Sequence, residues 1–259
     1  MKETSETHPK AGDKGALDAL FSVGAHFGFV RSRRHPSAKP FIFGSKNNLE
    51  IFDLEKTNKE LEKAAAFVAQ KGAEGAVGLW VGGKSEAREA VKKAGLELEM
   101  PYVAGRWIGG TLSNFAEIKK RIARLEELTG QREKGELGKY TKKERLLFDR
   151  EIERLTIYFG GLSQLKSIPK FLVVIDPKKE YIAVAEAKKT GVPVVALAGS
   201  DSNLYEIDYA IPGNDSSRQS IAFILQELSS AYKNGKAKAE KEARTNPETG
   251  EPVKTEPQS

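Results

Sequence analysis

Residues 171–198, FLVVIDPKKEYIAVAEAKKTGVPVVALA, contain the pattern that decides the fold. Phe171 to Ile175 is a continuous apolar run rich in β-branched residues, as is typical of a strand buried on both faces. Lys179 to Lys189 follows with helical character and ends before Gly191, and Val192 to Ala198 is a second apolar strand. A strand, a helix and a strand in this order predict parallel strands joined by a crossover helix.

The same pattern extends to both sides of this segment. Ala76 to Val81 predicts a buried strand, and Ser85 to Ala94 predicts a helix that is capped by Ser85 and closed by Gly95. An alanine-rich helix is predicted over Asn58 to Lys71. A last helix is predicted over Asp215 to Tyr232, with a cap signal at Asn214–Asp215 and one apolar side made of Ile221, Ile224, Leu225 and Leu228. Short strands alternating with helices imply an α/β fold of three layers, α/β/α, with a parallel sheet of the flavodoxin or Rossmann type.

A different spacing of apolar residues occupies the middle of the chain. One series is spaced by 3, 4 and 3 residues and the other by 4, 3 and 4, as in a coiled-coil seam: Phe115, Ile118, Ile122, Leu125, and Phe148, Ile152, Leu155, Phe159. The connector at residues 129–141 has the glycines and charges of an exposed turn. We therefore predict two long helices in an antiparallel coiled-coil hairpin, inserted into the α/β domain and projecting from it.

These patterns divide the chain into four parts. Residues 1–15 are predicted to be a flexible N-terminal segment, and residues 16–112 and 158–233 to form the α/β core. Residues 113–157 form the predicted hairpin. Residues 234–259 hold almost no large apolar side chains and cannot offset the entropy lost on ordering, which predicts a disordered C-terminal tail.

The composition excludes several kinds of site. Of the 259 residues none is cysteine and three are histidine, which leaves no disulfide or cysteine-ligated zinc and little for a histidine-rich metal site. No apolar run reaches about 18 residues, and the start of the chain is polar, so we expect a cytoplasmic protein with neither a membrane span nor a secretory signal. The net charge of +6 is compatible with a polyanionic partner.

The window from Gly24 to Leu49, called here the basic segment, contains no aspartate or glutamate, although the chain holds 36 acids. Within it Phe41 to Phe43 is predicted to pair with Leu49 to Phe52 as a hairpin, through a turn at Gly44 to Asn48. Its cations are Arg31, Arg33, Arg34, Lys39 and Lys46, and four phenylalanines lie among them: Phe27, Phe29, Phe41 and Phe43. Cations contact phosphates without sequence preference, and aromatic rings stack on exposed bases or fix the loop. We therefore predict that the segment binds RNA, rather than being a merely solvated loop.

The predicted hairpin adds further cations, among them Lys119, Lys120 and Arg124. Acids are interspersed with them along both helices. A solvated, salt-bridged helix face is therefore as good an interpretation of these cations as contact with RNA.

Two alternatives from other functional classes are also present. Gly78 to Ser85, GLWVGGKS, matches the phosphate-loop pattern G-x-x-x-x-G-K-[ST], and Asp176 follows an apolar strand as the magnesium-binding aspartate of such NTPases does. Leu79 to Val81, however, are strand formers, so only Gly82–Gly83 remain as a loop, which is too short to surround a β-phosphate. We favour an ordinary strand-to-helix turn over a P-loop NTPase.

The other alternative is a sugar- or nucleotide-binding module at the sheet edge. Asp176, Asp201 and Asp208 lie near predicted strand ends, where open parallel sheets bind ligands. No histidine accompanies them, so solvated loop carboxylates are the favoured interpretation. No catalytic triad and no metal site are predicted.

A series of motifs follows in order between about Ala16 and Tyr232: GAHFG at 24–28, RRHP at 33–36, KPFIFG at 39–44, DLEKT at 53–57, PYV at 101–103, RWIGGTLSNF at 106–115, DPKKE at 176–180 and IPGND at 211–215. Together they resemble the bacterial small-subunit ribosomal protein S2 family. The stretch RWIGGTLSNF is the most specific of them.

The resemblance implies a three-layer α/β domain with a protruding coiled coil, which sits on small-subunit rRNA between head and body. It implies no enzymatic activity, cofactor, metal, membrane or small-molecule substrate. The implied partners are the rRNA and neighbouring small-subunit proteins, with ribosomal protein S1 recruited where an organism has one. His35, Arg106 and Trp107 lie in the motifs and join the predicted RNA-binding residues.

Overall fold

The computed structural model describes residues 11–245, which form seven α-helices and eight strands. The helices are α1 Ala11–Ser22, α2 Leu54–Ala73, α3 Arg88–Glu97, α4 Phe115–Glu133, α5 Lys142–Phe159, α6 Tyr181–Thr190 and α7 Arg218–Thr245. The strands are β1 Phe27–Val30, β2 Ile42–Lys46, β3 Leu49–Phe52, β4 Gly78–Val81, β5 Tyr102–Val103, β6 Phe171–Ile175, β7 Val194–Ala198 and β8 Tyr209–Pro212. Within this range no helix combines the length and the apolar character that a bilayer crossing requires.

The main sheet has five strands, all parallel, in the order β5-β4-β6-β7-β8. The central strand β6 is buried along its whole length, which explains its continuous apolar sequence. In register, Val173 of β6 lies between Trp80 of β4 and Val195 of β7. Because the strands are parallel, their carboxyl ends meet at one side of the sheet, called here the carboxyl edge.

Helices cover both faces of this sheet, as the sequence predicts. Helices α2, α3 and α7 pack on one face in an apolar cluster that contains Trp80, Phe171 and the four predicted α7 residues Ile221, Ile224, Leu225 and Leu228. Helix α6 packs on the other face, where Leu172 and Val174 of β6 point. The predicted three-layer α/β/α arrangement is therefore confirmed.

A separate three-stranded antiparallel sheet, in the order β1-β3-β2, contains two stretches of the basic segment as β1 and β2. Arg31, Arg33, Arg34 and Lys39 lie in the connection between these two strands. The predicted β-hairpin within the basic segment is confirmed as β2 and β3. Its turn uses Asn47 and Asn48, whose φ values of 51° and 64° are left-handed, a conformation that asparagine tolerates. Strand β1 is not predicted, because its four residues FGFV give no alternating pattern and include Gly28.

Helices α4 and α5 lie in residues 113–157, where the sequence predicts a coiled-coil helical hairpin. Thr141 begins α5 with a capping box, in which it exchanges hydrogen bonds with Glu144. Of the eight apolar side chains that the spacing singles out, Phe115 and Phe148 are partly buried and six are buried: Ile118, Ile122, Leu125, Ile152, Leu155 and Phe159. These residues belong to the same apolar cluster as Leu79 and Val81 of the sheet, so the cluster continues from the core into the helix pair. The coiled-coil character of the pair stays a prediction.

Three predicted helix starts are wrong. Helix α2 begins at Leu54, four residues before the predicted Asn58, because the Asp53 side chain caps it by accepting from the N–H groups of Glu55 and Lys56. Helix α3 begins at Arg88, because the backbone N–H groups of Ala87 and Arg88 both bond the Lys84 carbonyl in a turn; Ser85 bonds Glu86 instead of capping the helix. Gly95 lies inside α3, where a Cβ would come within 2.6 Å of the Tyr102 ring.

Helix α7 begins three residues after Asp215. The side-chain oxygen of Asn214 accepts hydrogen bonds from the N–H groups of Ser216 and Ser217 and forms a turn before the helix. The hydroxyl of Ser217 accepts from Ser220 N–H, as an N-cap residue does.

The predicted limits of the flexible N-terminal segment and of the disordered C-terminal tail also need correction. Helix α7 continues to Thr245, although disorder is predicted from residue 234. This stretch is rich in alanine, lysine and glutamate, which favour helix, and Gly235 packs against Ala69 of α2. Helix α1 begins at Ala11, within the segment 1–15 that is predicted to be flexible. Residues 1–10 and 246–259 lie outside the described residues.

Candidate nucleic-acid interface

The basic segment is held on the carboxyl edge of the main sheet. Ser200, in the loop that follows β7, accepts a hydrogen bond from Phe29 N–H at its hydroxyl (3.0 Å) and one from His35 N–H at its carbonyl oxygen (2.9 Å). Further along the segment, the Ser37 hydroxyl donates to the Ser202 carbonyl and accepts from Leu204 N–H. The loop after β7 therefore fixes the backbone of the segment at several points.

The predicted cations of the segment fall into two groups. Arg31, Arg33, Lys39 and Lys46 are exposed, and none of them forms an ion pair within residues 11–245. Arg34 differs, because its Nη1 lies 3.0 Å from Oε1 of Glu50, a carboxylate that is only 1% exposed. Arg34 therefore neutralises a buried charge, while the other four cations face solvent.

His35 has a structural role in the segment. Its Nδ1 lies 2.8 Å from the Ser37 hydroxyl and accepts from Ser37 N–H, so the ring caps the short 3-10 helix Pro36–Phe41. Its contact with RNA stays a prediction.

The four phenylalanines of the segment have different surroundings. Phe29 lies under Lys84, 5.6 Å from its Nζ, and so close to Gly199 that a Cβ there would be 2.7 Å from the Phe29 ring. Phe41 packs on the core, and the Phe27 ring lies 4.0 Å from the ring of His26. Phe43 is 81% exposed.

The motif at 106–115 wraps around one buried carboxylate. Glu186 of α6 accepts hydrogen bonds from the N–H groups of Gly110 (2.6 Å), Leu112 (2.9 Å) and Ser113 (3.2 Å) and from the indole of Trp107 (3.4 Å). Burial opposes the charged form of Glu186, but these donors more than offset it and lower its pKa. Glu186 thus organises the loop between β5 and α4.

This arrangement separates the two predicted RNA-binding residues of the motif. Arg106 is exposed. Trp107 is buried and presents no ring face to the surface, so direct contact between its ring and RNA would require the loop to open. Its observed role is packing.

The predicted cations of α4 are all on its surface. Lys120 pairs with Glu117, and Arg124 pairs with Glu127 and, across the helix pair, with Glu151 at 3.4 Å. Lys119 is exposed and forms no ion pair in the described part of the chain. The pairings of Lys120 and Arg124 match the solvated-face interpretation of these cations.

The stretch that matches the phosphate-loop pattern has an internal partner for each phosphate-binding group. β4 ends at Val81, so only Gly82 and Gly83 precede the turn. The N–H of Gly83 donates to Oε1 of Glu180 at 3.1 Å. The ammonium group of Lys84 lies 2.8 Å from Oδ2 of Asp176 and 3.3 Å from Oδ1 of Asp215. Carboxylates of the protein itself therefore occupy the positions that phosphate oxygens would need.

Burial and neighbouring charges shift the protonation of this cluster. Burial raises the pKa of Asp215 to about 6, and repulsion from Asp176 acts in the same direction. Burial opposes the charge of Lys84, but attraction to Asp215 and Asp176 more than offsets it and raises the pKa of Lys84. One oxygen of Asp215, Oδ2, is buried without a hydrogen-bond partner.

The three aspartates of the sheet-edge hypothesis do not come together. Asp176 and Asp201 lie at the carboxyl edge, where Asp201 bonds Lys178 at 2.7 Å. Asp208 precedes β8 and accepts from Val194 N–H at the start of β7, so it lies at the opposite end of the sheet. Within residues 11–245, no group of three or more His, Asp or Glu residues is placed to hold a metal ion.

Three residues that organise the interface are not predicted as site residues. Glu50 ends the acid-free window, and its two-residue spacing from the apolar Phe52 of β3 is a signal that it points inward. Ser200 and Glu186 carry no such signal, because their partners lie far away in sequence.

Comparison with known proteins places the chain in a family. Residues 20–235 match the family model described as "Ribosomal protein S2". The relatives called "Small ribosomal subunit protein uS2" include one from Roseiflexus sp., 40% identical over 225 residues, which cover 87% of this chain and 86% of the relative. Those from Sulfurimonas denitrificans and Bdellovibrio bacteriovorus are 41% and 38% identical, over 84% and 88% of this chain and 84% and 73% of the relatives. The chain therefore belongs to the ribosomal protein S2 family.

Proposed function

We propose that this chain is a structural, non-enzymatic component of the small ribosomal subunit that binds small-subunit rRNA through its basic segment and supports subunit assembly and translation. The family supports the ribosomal role, since its matched members are called small ribosomal subunit proteins. As a ribosomal component it works in the cytoplasm beside neighbouring small-subunit proteins.

One observation carries the RNA-binding part of this proposal. The basic segment carries four exposed cations that form no ion pair among the described residues: Arg31, Arg33, Lys39 and Lys46. Its backbone is fixed to the loop after β7 by hydrogen bonds from Phe29 N–H to Ser200 and from Leu204 N–H to Ser37. Exposed cations on an ordered surface suit the phosphates of a folded RNA, whose charge they neutralise with release of counterions.

Helices α4 and α5 are proposed to act as a coiled-coil arm that serves docking. The apolar side chains between the two helices are buried, and the helix surfaces carry both signs of charge, including Lys119, which forms no ion pair among the described residues. Such a surface suits neighbouring proteins or RNA phosphates more than a small molecule. Ribosomal protein S1, where present, is proposed as one of these neighbours.

The salt dependence of RNA binding tests the role of the basic segment. Arg31 and Arg33 are replaced together by alanine, and the affinity of the full chain for purified small-subunit rRNA is measured over a range of salt concentrations. The slope of log affinity against log salt is negative, and it should become less steep by roughly 0.7–0.9 for each phosphate contact that is lost. Arg34 is left unchanged, because its removal would leave the buried Glu50 without its ion-pair partner and could destabilise the fold.

A matched control is the replacement of Lys92 and Lys93 by alanine. These are two exposed cations of α3, outside the basic segment. Equal slopes for the unchanged chain and the arginine variant would show that the segment is merely solvated. The ribosomal role is checked independently, by the stoichiometric sedimentation of the chain with the small subunit.

A further inference from the structure

Phe43 occupies an irregular position in the small sheet. Ile42 of β2 lies opposite Phe52 of β3, and Gly44 lies opposite Ile51, so β2 has one residue more than β3 between these two pairs. Phe43 is that extra residue. A bulge of this kind breaks the ladder and redirects a side chain, and β2 is an edge strand with no further neighbour in its sheet.

The consequence is an aromatic ring directed into solvent. Phe43 is 81% exposed, and no other ring stacks on it within the described residues, whereas the neighbouring phenylalanines of the basic segment each contact a ring, a cation or the core. Phe52 on the paired strand is 2% exposed and fills the inner face of the sheet. The bulge thus presents one large apolar ring that contributes little to the core.

The surroundings of this ring are cationic. Lys46 follows it on the same strand and pairs in register with Leu49, on the face opposite to buried Glu50. Lys39 precedes it in the 3-10 helix Pro36–Phe41. Both lysines are exposed and form no ion pair in the part of the chain that the structure describes. Glu50, the nearest acid in sequence, is neutralised by Arg34.

An exposed aromatic ring flanked by free cations is the combination that binds single-stranded RNA. The ring stacks on the face of an unpaired base, and the cations contact the adjacent phosphates. Bases inside a duplex are already stacked and offer no free face. We propose that Phe43 stacks on an unpaired base of the bound RNA, with Lys46 and Lys39 on the flanking phosphates. This inference rests on the proposed RNA binding and adds that the site takes a single-stranded nucleotide.

A protein neighbour is the competing occupant, and the charge of the basic segment argues against it. On the outer face of the small sheet the exposed large apolar side chains are Phe27, Phe43 and Leu49, since Phe27 lies opposite Ile51 in register. All exposed charged residues of the basic segment are cations. A phosphate backbone with an unpaired base matches both this charge and the exposed ring, whereas a protein partner would have to match the charge with acidic side chains.

The test uses the full chain and small ribosomal subunits stripped of it. Phe43→Ala should weaken rebinding about 5- to 150-fold, the factor that corresponds to stacking of about 1–3 kcal/mol per base. Phe43→Trp should rebind as the unchanged chain does, and Phe43→Leu should be nearly as weak as the alanine variant. Tyr205→Ala is the matched control, because Tyr205 is 79% exposed but lies beside Glu206, outside the basic segment.

A direct signal of stacking comes from the Phe43→Trp variant. The chain's own tryptophans, Trp80 and Trp107, are 0% and 5% exposed, so a new surface tryptophan dominates any quenching by RNA. Single-stranded oligoadenylate should quench its fluorescence, and a fully paired RNA duplex should quench it much less.

Each other outcome overturns the inference in a distinct way. Equal rebinding of the unchanged chain and Phe43→Ala refutes stacking and leaves the proposed RNA binding in place. Full rebinding of Phe43→Leu with loss in Phe43→Ala identifies an apolar protein contact instead. If the unchanged chain binds neither RNA nor stripped subunits, the proposed function fails and this inference fails with it. Because Phe43 is exposed, all three variants should unfold at the same temperature as the unchanged chain.

Discussion

The Nζ atom of Lys84 lies 2.8 Å from Oδ2 of Asp176, the two residues that a phosphate-loop enzyme would direct toward phosphate and magnesium. In this chain they neutralise each other, and Asp215 lies within 3.3 Å of the same ammonium group. Glu180 occupies the N–H of Gly83. A nucleotide would have to displace three carboxylates of the protein to enter.

We therefore predict that the purified chain neither binds nor hydrolyses ATP or GTP. Titration calorimetry in the presence of magnesium should give no saturable heat at nucleotide concentrations up to about 1 mM, which corresponds to less than about 4 kcal/mol of binding free energy. Saturable binding in the low micromolar range would contradict this prediction, provided that the Ser85→Ala variant loses it.

The contribution of Asp215 to the free energy of unfolding should increase as the pH is lowered. Its native pKa of about 6 lies above the ordinary value of 3.8, so the native state binds this proton more tightly than the unfolded chain does. The resulting stabilisation is complete below about pH 4 and is lost as the pH rises through about 6. Asp215→Asn should lack this loss, so its free energy of unfolding relative to the unchanged chain should rise by about 1 kcal/mol between about pH 5 and about pH 7.5. Urea unfolding at the two pH values measures it, and parallel pH profiles would disprove it.

Arg33 and Arg34 are adjacent in sequence, yet their removal should have opposite consequences. Arg34→Ala leaves the buried Glu50 without its partner and should lower the free energy of unfolding by about 3 kcal/mol. Arg33→Ala removes an exposed cation and should change it by less than about 0.5 kcal/mol. Denaturant unfolding distinguishes the two, and the double variant Arg34→Met with Glu50→Gln should recover part of the loss. Equal unfolding midpoints for the two alanine variants would refute the assignment.

Glycine at the contact between α2 and α7 should be indispensable for stability. A Cβ on Gly235 would lie 1.9 Å from the Ala69 carbonyl oxygen, and one on Gly72 would lie 2.2 Å from that of Tyr232. Gly235→Ala should therefore destabilise the chain by about 1–3 kcal/mol, because the two backbones must separate. Gly130→Ala in α4 is the control: a Cβ there meets nothing within 4 Å, so it should stabilise by up to about 1 kcal/mol. Thermal unfolding of both variants gives the comparison.

The outer part of the helix pair should be dispensable for folding of the α/β domain. Replacing residues 123–153 with a short Gly/Ser linker keeps Ile122 and Leu155, which continue the apolar cluster of the sheet. Closing a short loop costs little entropy, so the unfolding temperature should shift by no more than roughly 5 °C. Assembly into small subunits lacking the chain should be impaired instead. Early melting or aggregation would show that the whole pair stabilises the core, and normal assembly would show that the arm is not needed for docking.

The sequence predicts the main sheet because its strands are buried on both faces. Phe171–Ile175 and Val194–Ala198 are continuous apolar runs for that reason, and the helix between them ends at a glycine with a φ of 70°. The short strands β5 and β8 escape prediction, since two and four residues give no readable period.

The interface is less predictable than the fold, because the environment of each cation depends on residues that are distant in sequence. Nothing local distinguishes Arg34 from Arg31, and their difference comes from Glu50 on another strand. Trp107 lies in a polar, glycine-rich motif typical of a surface loop, yet Glu186 draws that loop onto the core from 79 residues away.

Ser200 has a consequence for the rate at which the interface forms. Its hydroxyl and carbonyl oxygen hold Phe29 and His35, so the stretch that carries Arg31 and Arg33 is shaped before any RNA arrives. A surface of this kind binds on collision, without a folding step that would slow capture. Under the proposed function, charge would accelerate the encounter with RNA, and the rate constant of association should decrease steeply as ionic strength increases. Loosening the loop with Ser200→Gly should slow association while the net charge of the chain stays the same.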